Sequence, residues 1–182
     1  DKNENTMPAL FHLPDQGSSS EWTKRLKEFG VRLIGRIIFC WFLKKKESKN
    51  AVPLISDEIL SKQSVNKHPN YYHAVLEKLF FQTLNTPMPE RKETIKEDPL
   101  WQSIPFLNGG LFEPHHHDYF REDHAFDNVL KIPDSWFEEL FELLETYNFT
   151  IDESTPVDID LSVDPEMIGR IFENLLAEIN PE

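Results

Sequence analysis

The chain has a single cysteine, Cys40, in 182 residues. That excludes an internal disulfide and a cysteine zinc cluster. Cys40 lies in an apolar stretch of helical spacing, so we expect a buried, inert thiol. Glycine is scarce, 6 residues against 13 prolines, so loops are shaped more by proline than by flexible glycine. No long hydrophobic run is present. The longest, 33–43, is broken by Gly35 and Arg36 and falls well short of the roughly 20 residues a bilayer crossing needs. The first twenty residues lack a charged start followed by an apolar block, which argues against a signal peptide. A cytoplasmic location and no membrane partner are the expectation.

What is present suits a globular core. Hydrophobic residues make up 39% of the chain and aromatics 12%, with Phe alone occurring 14 times, so large rings must fill much of the interior. The net charge of −13 opposes nucleic-acid binding at first sight, but the charge is polarised. Residues 21–49 hold nine bases against three acids, a net of +6. Residues 131–182 hold fourteen acids against two bases, a net of −12.

Periodicity predicts a mainly α protein: an irregular helical bundle around a central apolar helix at about 21–46, a long aromatic-rich loop region and one short β-ribbon. Residues 1–20 read as a loop or frayed end, and 21–182 as one module. In the first helix Trp22, Leu26, Phe29, Leu33, Ile37 and Cys40 recur at helical spacing. Gly30 and Gly35 suggest close approach of another element there. Ser56 is expected to cap a short helix over 57–62. A long helix should cover 70–84, stopped by Pro87 and Pro89, with a solvated helix or loop over 90–98. Residues 99–133 look irregular, with a small hairpin around 104–112. Ser135-Trp136-Phe137-Glu138 has capping-box spacing before a helix. Residues 149–151 and 157–161 alternate as a two-stranded ribbon. Asp164 and Pro165 then open a last helix with Met167, Ile168, Ile171, Phe172, Leu175, Leu176 and Ile179 as its stripe. The non-Met start and the Asn180-Pro181-Glu182 end lead us to expect a piece of a longer protein.

Few constellations carry chemistry. There is no phosphate-cradling loop with Lys after Gly, no serine in a nucleophile elbow, and no convincing acidic pair of the nuclease type. His115-His116-His117 with Asp118, Asp123 and His124 could hold a metal, which would make the loop a metal-dependent hydrolytic site. The competing reading is an ordinary polar loop. His73 and Glu77 read as a surface pair, and Asp158 and Asp160 as solvent-facing carboxylates. Arg32 and Arg36 share a side of the first helix and could grip DNA phosphates or pair with the acidic C-terminal helices of the same module. Lys44, Lys45 and Lys46 either contact the DNA backbone or complement the helix dipole. A free-standing acidic protein-interaction module is a further alternative.

Three stretches go beyond periodicity. They are residues 32–43 (Arg-Leu-Ile-Gly-Arg-Ile-Ile-Phe-Cys-Trp-Phe-Leu), residues 104–112 (Ile-Pro-Phe-Leu-Asn-Gly-Gly-Leu-Phe), and residues 147–156 (Tyr-Asn-Phe-Thr-Ile-Asp-Glu-Ser-Thr-Pro) continuing through 164–176 (Asp-Pro-Glu-Met-Ile-Gly-Arg-Ile-Phe-Glu-Asn-Leu-Leu). In this order they resemble the segment preceding the methyltransferase domain of single-chain type IIG restriction–modification enzymes and related phage-defence adenine-specific DNA methyltransferases. The resemblance implies a non-catalytic helical connector. Its partners would be a Mg-dependent nuclease domain before it, an S-adenosylmethionine-dependent adenine methyltransferase domain after it, and DNA through the parent protein. The catalytic Asn-Pro-Pro-Tyr and the cofactor loop of that family lie outside the matched stretches. The resemblance therefore assigns this chain no catalytic, cofactor or metal residue, and implies that the helix over 164–176 leads into the cofactor-binding part.

Overall fold

The computed structural model describes residues 19–45, 53–107, 110–115, 118 and 131–146. Among them the chain is mostly helical and forms no strand. The first helix, α1 (Ser19–Lys45), has Glu21 in its first turn and Lys44 and Lys45 in its last, each charge sign matched to its end of the helix dipole. Leu26, Phe29, Leu33, Ile37, Cys40 and Trp41 are buried, the inner stripe that three- and four-residue spacing puts on one face. A Cβ built at Gly30 would meet nothing within 4 Å, so the close approach expected at that glycine does not occur.

After α1 the local chemistry departs from the sequence expectation. Ser56 organises a turn, its hydroxyl accepting from the Glu58 amide at 3.1 Å. The helix itself starts later, as α2 (Lys62–Lys67). Its cap is Ser61, whose hydroxyl accepts from the Ser64 amide at 3.1 Å, the geometry that satisfies an otherwise orphaned first-turn donor. Asn70 then adopts φ 57°, a left-handed conformation that Asn tolerates better than most residues.

The long rod that follows, α3, is built from a π turn (Tyr72–Leu76), a short α segment (Glu77–Leu79) and a second π turn (Phe80–Leu84). The wider turns leave carbonyls that threonines take up: the Thr83 hydroxyl donates to Lys78 O at 2.8 Å and the Thr86 hydroxyl to Phe81 O at 2.7 Å. Side-chain back-bonding of this kind is how a helix accommodates an irregular ladder. Arg91 closes the far end, donating to Thr86 O at 2.9 Å and Thr83 O at 2.8 Å. The near end is capped from a distance. Asp134 accepts from the Asn70 and Tyr71 amides at 3.0 and 2.8 Å.

Two short helices, α4 (Glu93–Lys96) and α5 (Pro99–Gln102), follow. Asp98 caps α5 through the Leu100 amide at 3.0 Å, with Pro99 at its first position as the missing amide there permits. The hairpin expected at 104–112 is absent from the described residues, which instead end in a 3₁₀ turn, Gly110–Phe112. The last described helix is α6 (Asp134–Glu145). The expected Ser135 capping box does not form: α6 starts without a side-chain cap of its own, while its Asp134 serves α3. Rings join the three long helices. Trp41 of α1 stacks on Phe141 of α6 at 5.5 Å between centroids, and Tyr71 meets Phe137 and Phe141 edge-on at 5.3 and 5.8 Å. The Tyr71 hydroxyl donates to Ile59 O at 2.6 Å, which satisfies its polar end inside the core. The β-ribbon and the C-terminal helix of the sequence reading lie outside the described residues. No described helix is long and apolar enough to cross a membrane.

Candidate functional site

Helical spacing places Arg32 and Arg36 one turn apart on α1, and the fold brings Asp118 between them. Asp118 is fully buried and Arg36 is 1% exposed. Arg36 Nη2 donates to Asp118 Oδ2 at 3.0 Å, and Arg32 Nε to Oδ1 at 3.3 Å. The same Arg36 donates through Nε to Leu111 O at 2.7 Å and through Nη2 to Glu113 O at 2.8 Å. Its guanidinium carbon sits 5.1 Å from the Phe81 ring centroid and 5.9 Å from that of Phe80, within reach of a cation–π attraction. Asp118 also accepts the His115 amide at 2.8 Å through its side chain and the Tyr72 hydroxyl at 3.0 Å through its carbonyl.

This is an internal clamp. A buried charge is tolerated only when paired and fully hydrogen-bonded, and Arg36 meets that condition with a carboxylate, two carbonyls and two rings. What it ties together are two of the three stretches singled out in the sequence, 32–43 on α1 and 104–112 in the loop. Burial holds the Tyr72 hydroxyl well above the ordinary tyrosine range, and the adjacent Asp118 and Glu77 charges push the same way. Within the clamp, buried Arg32 Nη2 has no hydrogen-bond partner among the described residues.

The lysines at the end of α1 divide. Lys44 is 7% exposed at its side chain, donates to Leu60 O at 2.8 Å, pairs with Asp57 Oδ1 at 2.6 Å and lies 4.0 Å from the Trp41 ring centroid. Lys45 is exposed. Lys46 lies outside the described residues. Of the five residues expected to meet the DNA backbone, Arg32, Arg36 and Lys44 are thus held by partners inside the chain. The arginines do pair internally, but their partner is Asp118 in the loop rather than the acidic C-terminal helices.

Asp118 was also a possible metal ligand. Both its oxygens are engaged by two guanidiniums and an amide, an environment that disfavours a further cation. Among the described residues no group of three or more His, Cys, Asp or Glu side chains could hold a metal ion. His115 is exposed, while His116, His117, Asp123, His124, Asp158 and Asp160 lie outside the described residues. His73 and Glu77 do pair, Nδ1 to Oε1 at 2.9 Å, but their side chains are only 13% and 5% exposed, so the expected surface pair is instead largely buried. Cys40 is buried, and burial pushes its thiol well above the ordinary range against the opposing pull of Arg36.

Three structural carboxylates escaped the sequence reading: Asp118 as the clamp, Asp134 as a remote helix cap, and Asp57 under Lys44. Each meets its partner across a fold that local spacing does not encode. The excess of bases over acids in 21–49 was the available signal that carboxylates from elsewhere must be recruited.

Aligned with known proteins, the chain is 34% identical over 184 positions to a protein of Methanocaldococcus jannaschii named "Putative type II restriction enzyme and methyltransferase". The match takes in 98% of this chain, which spans 15% of the length of that relative. No family model matches the chain. No solved structure matches it. The chain is therefore similar, across nearly all its length, to one stretch of a much longer restriction–modification protein.

Proposed function

We propose that the chain is a helical connector within a restriction–modification protein, which orients an adenine-specific, S-adenosylmethionine-dependent DNA methyltransferase domain against a Mg-dependent nuclease domain. The parent would act in the cytoplasm in phage defence. The observation that carries this reading is the match over 98% of the chain but 15% of the relative. The clamp supports it: an arginine buried to 1% exposure and spent on loop carbonyls is a device for holding backbone in place. In this reading S-adenosylmethionine and Mg belong to the neighbouring domains.

Contact with the DNA backbone is part of the proposal, and it narrows to residues not consumed inside the chain. Among the described residues that is Lys45, which is exposed, since Arg32 is paired with Asp118. Such contacts are independent of sequence and sensitive to salt. The test is made on the full-length parent protein: methyl transfer to DNA from labelled S-adenosylmethionine, and DNA cleavage with Mg, in wild type and Arg36→Met. The reading expects both activities to fall in the variant while cofactor binding persists. A parent lacking any methyl transfer would overturn it. Unchanged activities in a folded Arg36→Met parent would remove the orienting role.

A further inference from the structure

Among the described residues two arginines are buried, Arg36 and Arg91, and they differ in what answers their charge. Arg36 has the Asp118 carboxylate. Arg91, 3% exposed, has no ion-pair partner among the described residues, and burial holds it below the ordinary arginine range with no carboxylate pulling the other way. Its Nε and Nη2 donate to Thr86 O and Thr83 O at the end of α3, while Nη1 reaches only Met88 Sδ, 3.9 Å away. Those contacts take three of the five N–H donors that a guanidinium carries, so two are left over. Capping α3 accounts for the bonds that are made. It does not account for a buried charge without a counter-charge, which is costly to hold.

Arg91 lines a cavity of about 310 Å³ together with Phe81, Gln82, Asn85, Glu90 and Lys92, a volume at the lower end of small-molecule sites. Exposed Lys92 adds a second cation, against the exposed carboxylate of Glu90. Among the described residues the side-chain amides of Gln82 and Asn85 make no hydrogen bond and Lys92 no ion pair. Pro114 also lines the cavity and follows Glu113, whose carbonyl Arg36 holds. Arg91 is fixed by its two carbonyls and the Pro114 segment by the clamp, so the cavity is formed before anything binds. We infer that it takes a phosphate group, with Arg91 and Lys92 as the counter-charges and the Gln82 and Asn85 amides as further donors. A planar carboxylate is satisfied by one edge of a guanidinium, whereas a tetrahedral phosphate uses donors from several directions. Either a nucleic-acid backbone or a free nucleotide can supply that group. The inference rests on this cavity and is independent of the restriction–modification reading.

NMR titration of the ¹⁵N-labelled full chain tests it, with inorganic phosphate, adenosine monophosphate, a short oligothymidylate and, as control, acetate at matched ionic strength. The phosphate probes should give saturable shifts of the Gln82 and Asn85 side-chain amides and of the Arg91 Nε–H, and acetate none. Tighter binding of the oligonucleotide than of the nucleotide assigns the phosphate to a nucleic-acid backbone; equal or tighter binding of the nucleotide assigns it to a small ester. Lys92→Ala should weaken binding about fivefold, as loss of one exposed charge does. Arg91→Lys should weaken it about tenfold or more, because an ammonium lacks the fork. Should Arg91→Lys lose its fold, Lys92→Ala decides. Equal shifts with acetate would overturn the inference in favour of a carboxylate site. No saturable shift at these groups with any phosphate probe, or unchanged affinity in a folded variant, would overturn it outright.

Discussion

Replacing Asp118 by alanine should be among the most damaging single changes in the described core. The carboxylate is fully buried and accepts from Arg36, Arg32 and the His115 amide. Its removal leaves the Arg36 guanidinium at 1% exposure without a counter-charge beside it, and breaking one side of a buried pair costs about 3–5 kcal/mol. Arg36→Met should cost a similar amount by a different route. It leaves Asp118 with Arg32 and the His115 amide and deprives the Leu111 and Glu113 carbonyls of their donor, at roughly 1–3 kcal/mol per buried unmatched group. The double variant Arg36→Met with Asp118→Ala should cost clearly less than the two singles together, by up to about 3 kcal/mol of coupling. Full recovery is not expected, because the two carbonyls stay unmatched. Urea denaturation followed by tryptophan fluorescence, with buried Trp41 as reporter, measures all four corners of the cycle. Lys62→Ala is the control: its partner Glu142 is 2.9 Å away, but the side chains are 45% and 67% exposed, so solvent screens the pair and its loss should barely move the midpoint. If both clamp singles cost under about 1 kcal/mol and add independently, the pair behaves as a surface pair and the reasoning fails.

Three other outcomes follow from the same contacts. Gly30→Ala should stabilise the protein by up to about 1 kcal/mol from helix propensity alone, since the added Cβ enters open space; a lowered Tm would show that a neighbour does lie there. Asp134→Ala should cost about 0.5–2 kcal/mol by uncapping α3 at Asn70 and Tyr71, and hydrogen exchange should rise at those two amides. Stability should also fall above about pH 9. Burial raises the Cys40, Tyr71 and Tyr72 groups from ordinary values of 9.0, 10.0 and 10.0, so the unfolded chain ionises first and binds fewer protons, which makes the slope negative. Lys78, lowered by burial against the pull of Asp98, opposes this below its ordinary value, but one group stands against three. Each raised acid steepens the loss by about 1.4 kcal/mol per pH unit once its unfolded form is ionised. A urea midpoint that stays level from pH 8 to 11 would contradict that burial, and Cys40→Ala should remove the first part of the decline.

The sequence was most legible where structure is local. α1 lies at Ser19–Lys45 where the stripe places a helix at about 21–46, because apolar spacing over many turns has one geometric solution. The rod ending at Leu84 fell between the same punctuating residues, Asn70 and Pro87, although its π turns left no trace in spacing. Caps were misread wherever the partner was remote. Ser135 had the local pattern, but α6 opens at Asp134, whose carboxylate is used by α3. The clamp followed the same rule. Arg32 and Arg36 were visible as a pair and their internal pairing was weighed, yet the choice of Asp118 depends on where the loop lands, which no window of sequence reports. Glu77, drawn inward with His73, was read as surface because its spacing alone carries no sign of burial.

Arg36 and Asp118 are 82 positions apart in sequence, yet each depends on the other for its place in the core. Lysine at position 36 would not be a conservative exchange, since a single ammonium has no planar fork with which to engage a carboxylate and two backbone carbonyls at once. Loss of either partner takes a buried ion pair from the other, so neither position can drift alone. Descendants of this fold should keep both residues or exchange both together, with a new donor recruited for the carbonyls of residues 111 and 113.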